Sequence, residues 1–165
     1  MEHLWAPWRM EYIRGEKRGG GCIFCFPDDA RGDRERLLLE GSRHSILMMN
    51  RYPYSNGHLM VAPRRHLVRL DALSVEERLD LMEMLVRAQR LLEEVFRPDG
   101  MNIGINLGRV AGAGVEDHLH IHLVPRWNGD TNFMTVLGDV RVIPDHILAS
   151  YDLLVEKLKT GQTKS

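Results

Sequence analysis

Apolar residues recur with two different periods along this chain, and each change of period marks a new element. Short strand-like runs come first. Residues 36–39 and 44–49 flank the turn pair Gly41-Ser42 and read as a hairpin, and Gly57 introduces a third strand over residues 58–63. The spacing then becomes helical. Ser74-Val75-Glu76-Glu77 has the form of a capping box, and Leu79, Met82, Val86, Leu92 and Phe96 make an apolar stripe, expected to be core, that stops before Pro98-Asp99-Gly100. Two more strands, 101–106 and 118–125, are joined by Gly108-Arg109-Val110-Ala111-Gly112-Ala113-Gly114, whose N–H groups could cradle a phosphate. After Pro144, the positions of Ile147, Leu148, Tyr151, Leu154 and Leu158 predict a closing helix, followed by a polar tail over 160–165. The sum is an α+β chain with antiparallel strands.

Composition narrows the reading in two ways. At 165 residues and 19.0 kDa the chain fits one domain. Its expected parts are an aromatic N-terminal segment and cysteine loop (1–35), a core (36–143), a C-terminal helix (144–159) and a frayed tail (160–165). Lys+Arg 22 against Asp+Glu 23 leaves a net charge of -1, which argues against a general nucleic-acid or membrane surface, so an anionic ligand needs a local site. No apolar run approaches the roughly 18 residues that span a bilayer, and the start Met1-Glu2-His3-Leu4-Trp5 lacks the regions of a signal peptide, so a cytoplasmic location is expected. In a reducing compartment, Cys22-Ile23-Phe24-Cys25 points to metal or redox chemistry more than to a disulfide.

The chemistry concentrates in Asp117-His118-Leu119-His120-Ile121-His122-Leu123-Val124-Pro125. Side chains alternate faces in extended backbone, so three imidazoles share one face while Leu119, Ile121 and Leu123 enter the core. A strand rich in Leu, Ile and Val needs no histidine for stability, and adjacent imidazolium ions repel. The row therefore suits acid, base or nucleophile work, or a metal ion shared by neighbouring histidines.

The run His118-Leu119-His120-Ile121-His122-Leu123-Val124 resembles the histidine triad (HIT) superfamily. Asn50 and His58, eight residues apart, resemble its ribose-contacting residue and a further active-site histidine, and Asn106 with the glycine loop also fits. The stretch from Glu116-Asp117-His118 to Asn132-Phe133 is similar to bacterial diadenosine tetraphosphate phosphorylase-like members. The resemblance implies a HIT-like fold with an antiparallel sheet of about five strands flanked by helices, and a homodimer across which the sheet extends. It implies a nucleotidyl hydrolase or transferase acting on a purine nucleotide or diadenosine polyphosphate. His120 would attack phosphorus, His122 and His58 would donate to phosphate oxygens, and Asn50, Asn106, Gly112 and Gly114 would contact the nucleotide.

The same resemblance implies a structural zinc on Cys22, Cys25, His66 and His118, since four N/S ligands close a tetrahedral site. Without the cysteines, His66 reads as a solvated residue beside Arg64 and Arg65. Triad hydrolases commonly carry a glutamine and a hydroxyl residue just ahead of the triad, and Gly112-Ala113-Gly114-Val115-Glu116-Asp117 has neither. That departure weakens a phosphoramidate-hydrolase reading. The phosphorylase-like context favours phosphate as acceptor, whereas histidine at position 122 favours water. A nucleotide-sensing module without turnover is the non-enzymatic alternative.

Overall fold

The computed structural model describes residues 21–27, 30, 32–130 and 146–162. Five strands form one antiparallel sheet: β1 (Leu38–Gly41), β2 (Ser45–Met49), β3 (Leu59–Pro63), β4 (Gly100–Ile105) and β5 (Ile121–Arg126), in the order β1-β2-β3-β5-β4. Helix α1 (Val75–Phe96) crosses from β3 to β4, and α2 (Ile147–Gln162) closes the chain. The α+β class and five-stranded antiparallel sheet match the sequence reading. The aromatic segment around Trp5, Trp8 and Tyr12, and residues 131–145, lie outside the described residues.

Alternation along the strands divides the sheet into two working faces. Leu47, Met49, Leu59, Val61, Ile121 and Leu123 join α1 and α2 in the larger core. Ile46, Met48, Met60 and Ala62 point the other way and pack with Phe24, beside Cys22, Phe26 and Val115. Register carries this division across the sheet, because Met60 is opposite Met48 on β2 and opposite His122 on β5. His122 therefore lies on the face covered by the cysteine loop, and Leu123 on the face covered by helices.

Local chemistry sets the ends of α1 as the sequence predicted. The Ser74 hydroxyl accepts from Glu77 N–H at 3.2 Å, and the Glu77 carboxylate accepts from Ser74 N–H at 2.8 Å. Arg65 donates to both oxygens of the same carboxylate at 2.8 and 2.7 Å, which holds Glu77 ionised, down to about 2. At the other end Arg97 adopts φ 47° ahead of Pro98, and the helix stops. Gly57 has φ +72°, and a Cβ there would meet the Phe96 ring at 2.9 Å, so the turn into β3 requires glycine.

The core stripe of α1 agrees with the predicted one at its C-terminal end, where Leu92 is buried and Phe96 packs against the core, and departs from it earlier in the helix. Leu81, Met84, Leu85, Ala88, Leu91 and Leu92 face the sheet, whereas Leu79 and Met82 are exposed at 63% and 54%. Both rows have helical spacing, so period alone could not choose between them. The third predicted strand loses its first residue, since pairing begins at Leu59. The last strand starts at Ile121, not His118, because pairing with β3 stops at Val61 and Leu119 N–H instead donates to Leu67 O at 2.7 Å. Residues 160–162, expected in the tail, continue α2. Among the described residues, no helix is long and apolar enough to cross a membrane.

Candidate active site and metal cluster

Side chains from His118 to His122 alternate as the sequence requires, with Leu119 and Ile121 in the helix-side core and the three imidazoles on the opposite face. His118 and His120 are 1% and 3% exposed. The Nδ1 of His120 lies 2.8 Å from the carbonyl oxygen of His118. A carbonyl only accepts, so Nδ1 carries the proton and Nε2 keeps its lone pair. Burial also pushes the His120 pKa down, which favours the neutral ring.

A second chain of hydrogen bonds fixes His122. Tyr54 N–H donates to His58 Nδ1 at 3.1 Å, so neutral His58 carries its proton on Nε2. That nitrogen is 3.0 Å from His122 Nδ1, which must then accept, leaving the proton of neutral His122 on Nε2. The Tyr54 ring stacks on His58 at 4.9 Å between centroids. His58 is fully buried, and burial together with His122 and His120 pushes its pKa down to about 3. His58 thus stands behind His122, where its Nε2–H is spent on the neighbouring ring and not on a phosphate.

His120 and His122 border a cavity of about 580 Å³, lined also by Phe24, Met48, Met60 and Asn50 among others. The size suits a nucleotide-sized ligand. Among the described residues, the cavity lining includes Arg36 and Arg51 and no Asp or Glu, which favours an anion. Asn50 borders the cavity while its Oδ1 accepts from Tyr52 N–H at 2.9 Å, so it is both turn residue and wall residue.

Beside the cavity, Cys22, Cys25, His66 and His118 come together with their donor atoms within 4.8 Å of one another. Cys22 Sγ lies 3.2 Å and Cys25 Sγ 3.8 Å from His118 Nδ1, and Cys25 Sγ lies 3.4 Å from His66 Nδ1. His118 donates from Nε2 to Pro63 O at 2.7 Å, so its Nδ1 lone pair faces the sulfurs. A tetrahedral ion with bonds of roughly 2.0–2.3 Å needs ligands roughly 3.5 Å apart, and the cluster fits. Arg64 and Arg65 are tethers on the approach to His66: Arg64 donates to Ser42 O at 2.7 Å and Pro27 O at 3.0 Å, while Arg65 holds Glu77.

Residues 34–129 match the HIT domain. The chain belongs to the HIT family. A Mycobacterium tuberculosis protein named AP-4-A phosphorylase is 38% identical over 151 residues, covering 87% of this chain and 77% of that protein. The Schizosaccharomyces pombe asymmetrical bis(5'-nucleosyl)-tetraphosphatase is 37% identical over 86 residues, 52% of this chain and 47% of that protein. Among solved structures, a zinc-bound histidine triad family protein from Mycobacterium smegmatis superposes with a TM-score of 0.62 at 28% identity, covering 78% of this chain and 88% of that one.

The HIT fold gathers the predicted residues into two neighbouring groups. His120, His122, Asn50 and Gly114 line the cavity, His58 stands behind His122, and the four cysteine and histidine donors form the metal cluster. Asn106 and Gly112 are not on the cavity wall; Asn106 Nδ2 lies 3.5 Å from Gly112 O and ties the two ends of the loop that leads to Gly114. Sequence reasoning missed Phe24 and Tyr54, whose rings stack on His120 and His58. Their only sequence signal was an aromatic residue inside Cys22-Ile23-Phe24-Cys25 and another shortly before His58.

The buried neutral state of His58 predicts acid sensitivity. The unfolded chain takes up a proton at His58 near the ordinary value of 6.5, and the folded chain only near 3, so protons favour unfolding between these values. Stability from urea unfolding is expected to fall as the pH drops from about 7 to 5, by up to ~1.4 kcal/mol per pH unit for this one group. His58→Asn is expected to make that slope shallower; an unchanged slope in the variant would contradict the assignment.

Proposed function

We propose that this protein cleaves an adenine dinucleotide such as diadenosine tetraphosphate at the α-phosphorus, through a nucleotidyl-histidine on His120. The observation that carries this reading is the hydrogen bond from His120 Nδ1–H to the His118 carbonyl, which makes Nε2 the nucleophilic atom of a cavity-lining ring. In the first step Nε2 bonds to the α-phosphorus as the anhydride P–O bond breaks, and the bridging oxygen leaves with the nucleoside polyphosphate. In the second, an oxygen of orthophosphate or water bonds to phosphorus as the P–N bond breaks, and neutral His120 is restored. Phosphate as acceptor yields ADP and ATP from diadenosine tetraphosphate, whereas water yields AMP and ATP. The name of the Mycobacterium tuberculosis relative favours phosphate.

His122 Nε2–H serves as donor to a nonbridging oxygen in this scheme, where preorganised donors lower the barrier as charge develops. His58 acts through His122 as a positioning residue, by holding Nδ1 as an acceptor. Asn50 takes the ribose, the Gly114 backbone approaches the phosphate, and Asn106 with Gly112 shapes the loop that carries Gly114. A module that only binds nucleotide is disfavoured, because binding alone does not call for a nucleophilic ring held in a single tautomer.

Zinc is the metal we assign to Cys22, Cys25, His66 and His118, supported by the soft and imidazole donor set and by the zinc-bound mycobacterial relative. With four protein ligands the ion supplies structure and no open coordination position. It joins the cysteine loop to the segment after β3 and to the start of the triad. We also propose a cytoplasmic homodimer. Val75, Leu79 and Met82 form an exposed apolar row on α1, and Ile103 on the sheet-edge strand β4 is 45% exposed, which gives a two-fold partner surface to cover.

Four measurements test these assignments. A quenched reaction with α-labelled diadenosine tetraphosphate should leave acid-labile label on His120, and His120→Ala should lower turnover on the order of 10⁶-fold. Retained turnover, or label on another residue, would reject the mechanism. Running the reaction with and without orthophosphate and identifying the nucleotides formed decides the acceptor. Elemental analysis should find one zinc per chain, and Cys22→Ser should lower the melting temperature; metal-free protein with two freely reactive thiols would remove the zinc. Light scattering should give a dimer at micromolar concentration, and Met82→Glu should shift it toward monomer. A wild-type monomer would refute the assembly.

A further inference from the structure

The proposed zinc assignment makes the ion a staple, yet the loop that would hold it touches the reacting ring. Phe24 sits between Cys22 and Cys25, is fully buried, and stacks on His120 with ring centroids 4.8 Å apart and planes 25° from parallel. It also meets His118, at 5.3 Å. Residues 21–25 line the same cavity as His120 and His122. His118 makes a second link between cluster and nucleophile. Its ring faces the cysteine sulfurs, while its carbonyl accepts the His120 Nδ1 proton.

The two contacts on His120 have different geometric consequences. The hydrogen bond selects which ring nitrogen is protonated, but a single bond leaves the ring free to swing about it. An aromatic ring stacked on it restricts that swing by holding the ring plane. Displacing an attacking atom by about 1 Å can cost roughly 10²-fold in rate, so a fixed plane matters to an in-line attack. We infer that Phe24 is a positioning residue for His120, and that the four-ligand cluster holds this ring in place as well as stabilising the fold. This inference rests on the proposed role of His120 and gives the metal loop a part in the chemistry beyond stability.

The test compares wild-type protein, Phe24→Leu and Phe24→Met, the last two keeping an apolar side chain of similar volume without a flat face. Long-range ¹⁵N–¹H spectra read the His120 ring directly, in the absence of any substrate. Wild-type protein should give one Nδ1–H form. Both variants should keep one metal ion per chain by elemental analysis and the Nδ1–H form, yet show a broadened His120 ring signal. Stripping the metal from wild-type protein should reproduce that signature. In single-turnover labelling with diadenosine tetraphosphate, the rate of protein labelling at saturating substrate should fall roughly 10–100-fold in the variants.

A variant that unfolds more easily but keeps the wild-type His120 signal and labelling rate would reduce Phe24 to a packing residue and overturn the inference. If one variant fails to fold, the other and the metal-stripped wild type carry the same readout. Failure of the proposed reaction is seen separately, as absence of label on wild-type protein, because the tautomer measurement needs no turnover.

Discussion

His118 is the residue through which the rest of the site is organised, although it is not the one that reacts. It makes three directed interactions. Nε2–H donates to Pro63 O at the end of β3, Nδ1 faces the two cysteine sulfurs, and the backbone carbonyl accepts the proton of His120 Nδ1. Each satisfies a polar group that burial would otherwise leave costly, and together they couple three segments far apart in sequence. The order of protonated nitrogens across the site follows from which neighbours can only accept and which can only donate.

The sheet supplies the frame for these contacts. Two faces with different coverings let one strand serve both, with Ile121 and Leu123 in the helix-side core and His120 and His122 toward the cavity. A slip of one residue would exchange the two sets, which would place imidazoles among leucines and expose apolar side chains in the cavity. The burial of Leu119, Ile121 and Leu123 thus secures the register that chemistry requires. Packing and function are not separate demands on this stretch.

A buried polar cluster also makes the site expensive to charge. Burial and neighbouring rings depress the pKa of His58, and burial depresses those of His118 and His120, so the fold favours neutral imidazole at these three positions. Neutral rings can attack, accept or ligate, and none needs a counter-charge. The cavity correspondingly draws its cationic character from Arg36 and Arg51, whose guanidinium groups donate to the carbonyls of Ile23 and Cys25 and of Glu35.

Most of the fold and the chemical inventory were legible in the chain. Period two around His118, His120 and His122, the capping box at Ser74 and the turn glycine at Gly57 are local signals, each tied to backbone geometry a few residues long. The paired cysteines advertised metal or redox chemistry in the same way. Tertiary structure alone decided which row over the first half of α1 is buried, since Leu79 and Leu81 are equally apolar and differ only in what packs against them. It also decided that His58 bonds to His122, and that Phe24 and Tyr54 lie flat on two of the imidazoles. Those contacts join residues 64 and 96 positions apart, or depend on how a loop folds back over the sheet, and no period along the chain encodes such meetings.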